Sequence, residues 1–185
     1  MSRTRLKLKS VTEIVGTEEV GLLILVDERE ERQIAVTCNR ATLMQFQARL
    51  AGRPQPSRLP ETLWQVVSRM VDGTFDLVIY GLSDGQYKAV LYNDVTFDRF
   101  PLPASDAVLL SLIASVPLYI ETKLMEIQSS PYHASATGMA IPVNTISNEM
   151  LSKALEKAVE DENYELASYL RDEQRRRSNS SKGED

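Results

Sequence analysis

One cysteine, one histidine and one tryptophan occur in 185 residues. The lone cysteine, Cys38, permits no internal disulfide, so a reducing compartment is the default expectation. The lone histidine, His133, cannot build a zinc cluster or a histidine pair within one copy of the chain. No glycine-rich phosphate loop of the Walker or dinucleotide type occurs among the eight glycines. The longest apolar runs fall short of the ~20 residues that a membrane span needs. At the N-terminus Arg and Lys alternate with Leu where a signal peptide would carry an apolar segment. A cytoplasmic protein without a membrane partner is expected. The formal charge of −5 argues against association with nucleic acid driven by bulk charge, although it leaves room for a local basic patch.

What is present is ordinary globular material, 43% hydrophobic and 25% charged, in a chain long enough for one core and a small appendage. The organising stretch runs from Thr74 to Ile120. Phe75, Leu77 and Ile79 alternate with other residues, as do Tyr87, Ala89 and Leu91, and Asp84-Gly85 between them is a strong hairpin signal. Ala104-Ser105-Asp106 opens an apolar run to Ile113 that reads as a buried helix, with Ser105 or Asp106 placed to cap it and Pro117 to stop it. Leu118-Tyr119-Ile120 reads as a short strand.

Upstream, Leu6, Leu8 and Val11 mark a strand with one buried face, and Val20–Val26 is a continuous apolar strand suited to burial on both faces. Ile34-Ala35-Val36 follows a charged turn. Leu43, Met44, Phe46 and Leu50 fall at helical spacing before Gly52. A proline-rich loop then leads to a second helix from Glu61, with Leu63, Val66, Val67 and Met70 expected inward and Trp64 beside them. The order strand-strand-strand-helix occurs in both parts and suggests an internal duplication. Strands grouped in runs predict an α+β fold, a mixed or antiparallel sheet packed with helices. After Gln128 periodicity is lost. Ser147 then caps a helix carrying Leu151 and Leu155, Asp161-Glu162-Asn163 breaks it, and a second helix carries Tyr164, Leu166 and Leu170, forming a C-terminal two-helix hairpin.

Two parts of the chain resemble known families. Gly21-Leu22-Leu23-Ile24-Leu25, Leu82-Ser83-Asp84-Gly85-Gln86-Tyr87-Lys88-Ala89, and Ser105-Asp106-Ala107 leading through Val116-Pro117-Leu118-Tyr119-Ile120 resemble, in order and spacing, the bifunctional nuclease (BFN) domain family. Asn163-Tyr164-Glu165-Leu166-Ala167-Ser168-Tyr169-Leu170-Arg171-Asp172 resembles the UVR motif at the ends of UvrB and UvrC. These resemblances imply a BFN-like domain at residues 1–127, a linker at 128–146, a UVR-like hairpin at 147–177 and a disordered tail at 178–185. They also imply a homo-oligomer, often a dimer, and degradation of DNA and RNA. The sequence departs from the BFN pattern at two points. Pro103-Ala104 stands where Arg-Pro is common, and Glu61-Thr62 stands where a His-Asp pair is common.

Phosphodiester hydrolysis needs a nucleophile and a group that offsets charge developing on the phosphate. Carboxylates holding magnesium or manganese serve this purpose, since both hard ions prefer oxygen. Asp94, Asp98 and Asp106 are the candidate metal ligands if they converge at one end of the sheet. Asp106, Ser105 and Glu61 are the candidate catalytic groups. Helix capping and turn chemistry are the competing explanations for Asp106 and Asp94. Arg49, Arg53 and Arg58 surround the proline loop and are candidates for phosphate contact, or equally a solvated loop. Leu151, Leu155, Tyr164, Leu166 and Leu170 are the candidate partner-binding residues, because two short helices bury too little surface alone. The two readings are a metal-assisted nuclease and a non-catalytic oligomeric adaptor or nucleic-acid-binding protein acting through its hairpin.

Overall fold

Two three-stranded meanders, with one four-residue strand between them, make the sheet of this protein. The computed structural model describes residues 2–14, 17–52, 58–134 and 145–180. Arg53 and most of the predicted linker and tail lie outside the described residues. The first meander is β1 (Arg3–Ile14), β2 (Thr17–Asp27) and β3 (Arg32–Asn39), and the second is β4 (Phe75–Ser83), β5 (Gln86–Asn93) and β6 (Arg99–Pro103). The bridging strand is β7 (Leu118–Glu121), and β8 (Ser130–Pro131) adds two residues at one edge. The order across the sheet is β6-β5-β4-β7-β1-β2-β3-β8. β7 runs antiparallel to β1, with Leu6 opposite Leu118, and parallel to β4, with Leu77 opposite Leu118. Six helices and a mixed eight-stranded sheet among the described residues give an α+β fold.

Local chemistry accounts for the strand phases. Leu6 and Leu8 face inward with Leu25 opposite Leu8, but the register slips by one residue at Lys9, where Ser10 pairs with Ile24. That bulge moves the inward phase from Ser10 to Val11. Every residue from Gly21 to Val26 is buried, the pattern of a strand covered on both faces. Asp84 and Gly85 both take positive φ, 52° and 74°, as a two-residue hairpin turn requires. The β2–β3 turn is held by Asp27, whose Oδ1 accepts the backbone N–H groups of Glu31 (2.8 Å) and Arg32 (3.1 Å).

Helix α1 (Arg40–Leu50) buries Thr42, Leu43 and Phe46. Asn39 caps it by accepting the Thr42 N–H at 2.8 Å. Gly21 lets this helix come close to the sheet: a Cβ there would lie 2.7 Å from Leu43 Cδ1 and 3.0 Å from Cys38 Sγ. Helix α3 (Ala104–Ala114) buries Ala104, Ala107, Val108 and Leu109. Its N-cap is Pro103, and no side chain makes a capping hydrogen bond, so Ser105 and Asp106 lie inside the first turn and do not cap it. The helix ends before Pro117, at Ser115 in the left-handed region (φ 54°), with Ser111 donating to the Val116 carbonyl at 2.7 Å. Helix α4 (Thr122–Gln128), which carries no clear periodic signal in the sequence, follows β7 and buries Met125 and Gln128.

Helix α2 (Leu59–Met70) corrects the sequence reading most sharply. Leu63, Val66, Val67 and Met70 were expected inward, yet Leu63 is 54% exposed and Met70 79% exposed. Trp64 faces the body in their place, its ring edge-on to Phe75 at 5.4 Å. An amphipathic period fixes which residues share a stripe, not what the stripe meets.

The chain divides into two compact units, Met1–Gly81 with Tyr87–Thr137, and Leu82–Gln86 with Gly138–Asp185. The second contains α5 (Asn148–Glu160) and α6 (Tyr164–Ser180). Ser147 caps α5 by accepting the Met150 N–H at 3.2 Å, and Asn163 accepts the Leu166 N–H at the start of α6.

The Gly21 approach gives a direct test. Gly21→Val is expected to lower the unfolding free energy by about 1–3 kcal/mol through overpacking against Leu43, measured by urea denaturation. Gly21→Ala is expected to cost less, because the nearest atom is the movable end of a leucine side chain.

Candidate functional site

The carboxylates singled out in the sequence are held separately. Asp94 accepts the Thr74 backbone N–H and, at 2.9 Å, the Thr74 hydroxyl, which ties the β5–β6 loop to the start of β4. Those hydrogen bonds hold its pKa below the usual carboxylate value. Asp98 takes the Thr96 hydroxyl at 2.7 Å within the same loop. Asp106 is exposed in the first turn of α3, where its charge is favourable to the helix dipole. Ser105, beside it, is half-buried. No group of three or more His, Cys, Asp or Glu side chains among the described residues is arranged to hold a metal ion. Asp94, Asp98 and Asp106 therefore do not gather into the expected ligand set. The loop between β5 and β6 is instead organised by Asn93, buried to 1% exposure, whose side chain accepts from Val95 and Thr96 and donates to the Asp72 carbonyl.

Glu61 and Arg49 meet each other. Arg49 donates through Nε (2.9 Å) and Nη2 (2.6 Å) to Glu61 Oε1, and its Nη1 reaches the Gln45 carbonyl at 3.0 Å. The Arg49 side chain is only 9% exposed. Both groups are thus engaged in fastening α2 to α1. Burial works against the Glu61 carboxylate, but the Arg49 hydrogen bonds and charge, with Arg58 adding to them, outweigh it and hold its pKa below the ordinary value. Glu61 Oε2 is buried and has no hydrogen-bond partner among the described residues. Arg58 is the N-cap residue of α2, and Arg53 lies outside the described residues. Cys38 is buried, and burial pushes its thiol up to about 11, which suits a core residue and not a nucleophile. His133 is exposed.

A cavity of about 340 Å³ opens beside β1 and the C-terminal end of α3, lined by Arg5, Lys7, Leu8, Ser111, Leu112 and Ser115 among others. None of the predicted catalytic or metal-binding residues lines it.

In the second unit the predicted leucine stripe splits in two. Leu151 and Leu170 are buried with Ile146, Ala158 and Ala167, and Leu155 packs against this cluster. Leu166 is 43% exposed and neighbours Tyr169 (62%), three residues on, while Tyr164 (69%) is exposed on a different side at the start of α6. A buried guanidinium closes the pair of helices. Arg177 is 7% exposed, binds Glu173 at 2.8 Å, and donates through Nη1 to the Ile146 carbonyl (2.7 Å) and Asn148 Oδ1 (2.9 Å). One side chain at the end of α6 thereby satisfies groups at the entry to α5. The sequence offered only a run of three arginines at this point, which gave no sign of which one turns inward.

This helix pair matches the UvrB/uvrC (UVR) motif over residues 149–177. No curated protein matches the chain.

Since the folded pKa of Glu61 is depressed, its stabilisation is present above the unfolded carboxylate range and is lost as pH falls through the lower folded value. The stability difference between wild type and Glu61→Gln, followed by urea melts from pH 7 downward, is expected to be about 1–3 kcal/mol at neutrality and to shrink in acid. A difference independent of pH would remove the charge-assisted character of the Arg49 contact.

Proposed function

We propose that this chain is a BFN-type protein whose α+β unit engages nucleic acid and whose UVR-type hairpin engages a partner, with binding and not cleavage as its main capability. The observation that carries this reading is the UVR match on a hairpin with its own closed core and an exposed Leu166–Tyr169 pair on α6. The UVR motif is linked to nucleic-acid or protein interaction. An exposed aromatic and aliphatic side on an otherwise satisfied helix pair is what an interaction module presents. The BFN-like stretches support the reading for the α+β unit. Gly21–Leu25 is the buried run of β2, Ser105–Ala107 opens α3, and Val116–Ile120 leads into the bridging strand.

Metal-assisted hydrolysis by magnesium or manganese is the second reading, favoured by those same stretches. The ligand geometry does not fit it within one copy. Asp94 and Asp98 are engaged by threonines of their own neighbourhood, Glu61 by Arg49, and Asp106 stands exposed on α3. No step through such an ion is derived for this chain.

The α2 stripe supports the homo-oligomer. Leu59, Leu63, Val66 and Met70 lie three or four residues apart on one exposed side, 48–79% open to solvent. A monomer rarely leaves such a patch uncovered. A second copy packing its own α2 against it would form the isologous contact of a two-fold dimer.

Two experiments test this. Light scattering of the full chain is expected to give twice 20.8 kDa, and Leu63→Glu is expected to return 20.8 kDa. An unchanged mass in the variant would place the contact elsewhere. Incubation with linear DNA and RNA in magnesium, manganese or EDTA is expected to show retention of labelled strands without cutting. Metal-dependent cleavage that disappears in Asp106→Ala would establish the nuclease instead.

A further inference from the structure

Alternation along the second meander puts a set of aromatic and basic side chains on the face of the sheet opposite Leu77, Ile79 and Ala89. Tyr92 pairs directly with Arg99 across β5 and β6, and Lys88 is two positions of the same face further along. Val78 pairs with Tyr119, so Tyr80 and Tyr119 share this face on β4 and β7. Arg5 pairs with Tyr119 and Arg3 with Glu121, which brings the first residues of β1 onto it as well. Contacts agree with the assignment. The Arg3 guanidinium lies 5.9 Å from the centre of the Tyr92 ring and 3.5 Å from Asp76. Tyr80 is 42% exposed, and Lys88 and Arg99 are exposed.

Phe97 supplies a second and independent observation. It sits in the β5–β6 loop at φ 61°, a region that bulky residues seldom occupy, and its ring is 69% exposed. Beyond its contact with Tyr92, an exposed phenylalanine in a left-handed conformation adds little to folding, and glycine or asparagine would adopt that backbone at less cost. The ring is nevertheless held 6.3 Å from Tyr92, with Asn93 fixing the loop that carries it. Phe97, Tyr92 and the Arg3 guanidinium therefore form an accessible row of flat groups beside Arg99.

We infer that this face is a binding platform for single-stranded nucleic acid, with bases stacking on Phe97 and Tyr92 and phosphates meeting Arg99, Arg3 and Lys88. Neighbouring strands lie about 4.8 Å apart, so tyrosines on three of them can meet successive unstacked bases. A duplex keeps its bases stacked inside and offers the rings no face. Exposed ion pairs such as Arg3–Asp76 are weak and exchange readily for a phosphate. The chain's charge of −5 does not oppose this, since Arg3, Arg5, Lys88 and Arg99 outnumber Asp76, Glu121 and Glu28, the last paired with Arg5 at 3.7 Å. This assignment deepens the nucleic-acid reading of the α+β unit and rests on it.

The test is fluorescence anisotropy of the full chain in EDTA with labelled oligo-dT and oligo-rU of twelve nucleotides, and with a duplex of the same length. Both single strands are expected to bind at least tenfold more tightly than the duplex, and the stronger of the two identifies the natural sugar. Phe97→Gly is expected to weaken binding about tenfold while raising the melting temperature, because it relieves the left-handed backbone. A purely structural Phe97 would not move the two quantities in opposite directions. Arg99→Gln is expected to lower the slope of log K against log salt by about 0.7. Failure of the wild type to bind any strand at 50 mM salt would overturn the platform and the nucleic-acid reading together. Strong binding unaltered in Phe97→Gly and Arg99→Gln would overturn the platform alone.

Discussion

The pairing of β7 on both of its sides is the constraint from which the rest of the α+β unit follows. Four residues, Leu118–Glu121, hydrogen-bond to β1 on one side and to β4 on the other. Without them each meander would expose an edge strand at the join. The Leu77 N–H extends the join by bonding to the Pro117 carbonyl at 2.9 Å. Leu118 and Ile120 turn inward at 3% and 0% exposure, so the strand also links the hydrophobic layers of the two halves. Burial of that order contributes roughly 1.5–3 kcal/mol for each side chain.

Helices then attach to this sheet in two ways. α1 and α3 attach by apolar burial, with Leu43, Phe46 and Val108 almost fully enclosed. α2 attaches by two specific contacts, the Arg49–Glu61 pair and the edge of Trp64 on Phe75. A helix fastened by one ion pair and one ring can keep its apolar stripe turned outward, and a stripe so presented is available to another surface. The same division appears in the hairpin. Leu151, Leu170 and the buried Arg177 hold α5 to α6, which leaves Leu166 and Tyr169 exposed together and Tyr164 exposed at the helix start.

Three surfaces thus carry the functional argument: the α2 stripe, the hairpin's aromatic side and the tyrosine-bearing sheet face. Each consists largely of exposed groups. Asp94 and Glu61 are the opposite case, whereas Asp106 stands exposed on α3. Asp94 holds the start of β4, Asn93 shapes the loop beside it, and Glu61 neutralises a nearly buried arginine. Side chains with those commitments have little freedom to coordinate an ion or move a proton.

Much of the local structure was legible in the residues. Asp84-Gly85 specified its turn because few residues tolerate two positive φ values in succession, and both are observed. Ser147 marked the start of α5, since its short side chain satisfies a free N–H group, whereas the caps at Asn39 and Asn163 emerged only in the structure. The C-terminal hairpin, its break at Asp161-Glu162-Asn163 and the α+β class followed from periodicity. What the sequence could not contain was the partner of each face. Whether Leu63 meets the core or solvent, which arginine of Arg175-Arg176-Arg177 is enclosed, and whether Asp94 and Asp106 converge all depend on pairing between residues distant in the chain. The phase of β5 placed Tyr92 and Lys88 on one side, but only pairing through β7 brought Tyr119 and Arg5 onto that same surface. Periodicity is a local property written in side-chain order. The choice of neighbour is made when strands far apart in sequence hydrogen-bond, and that is decided by the folded sheet alone.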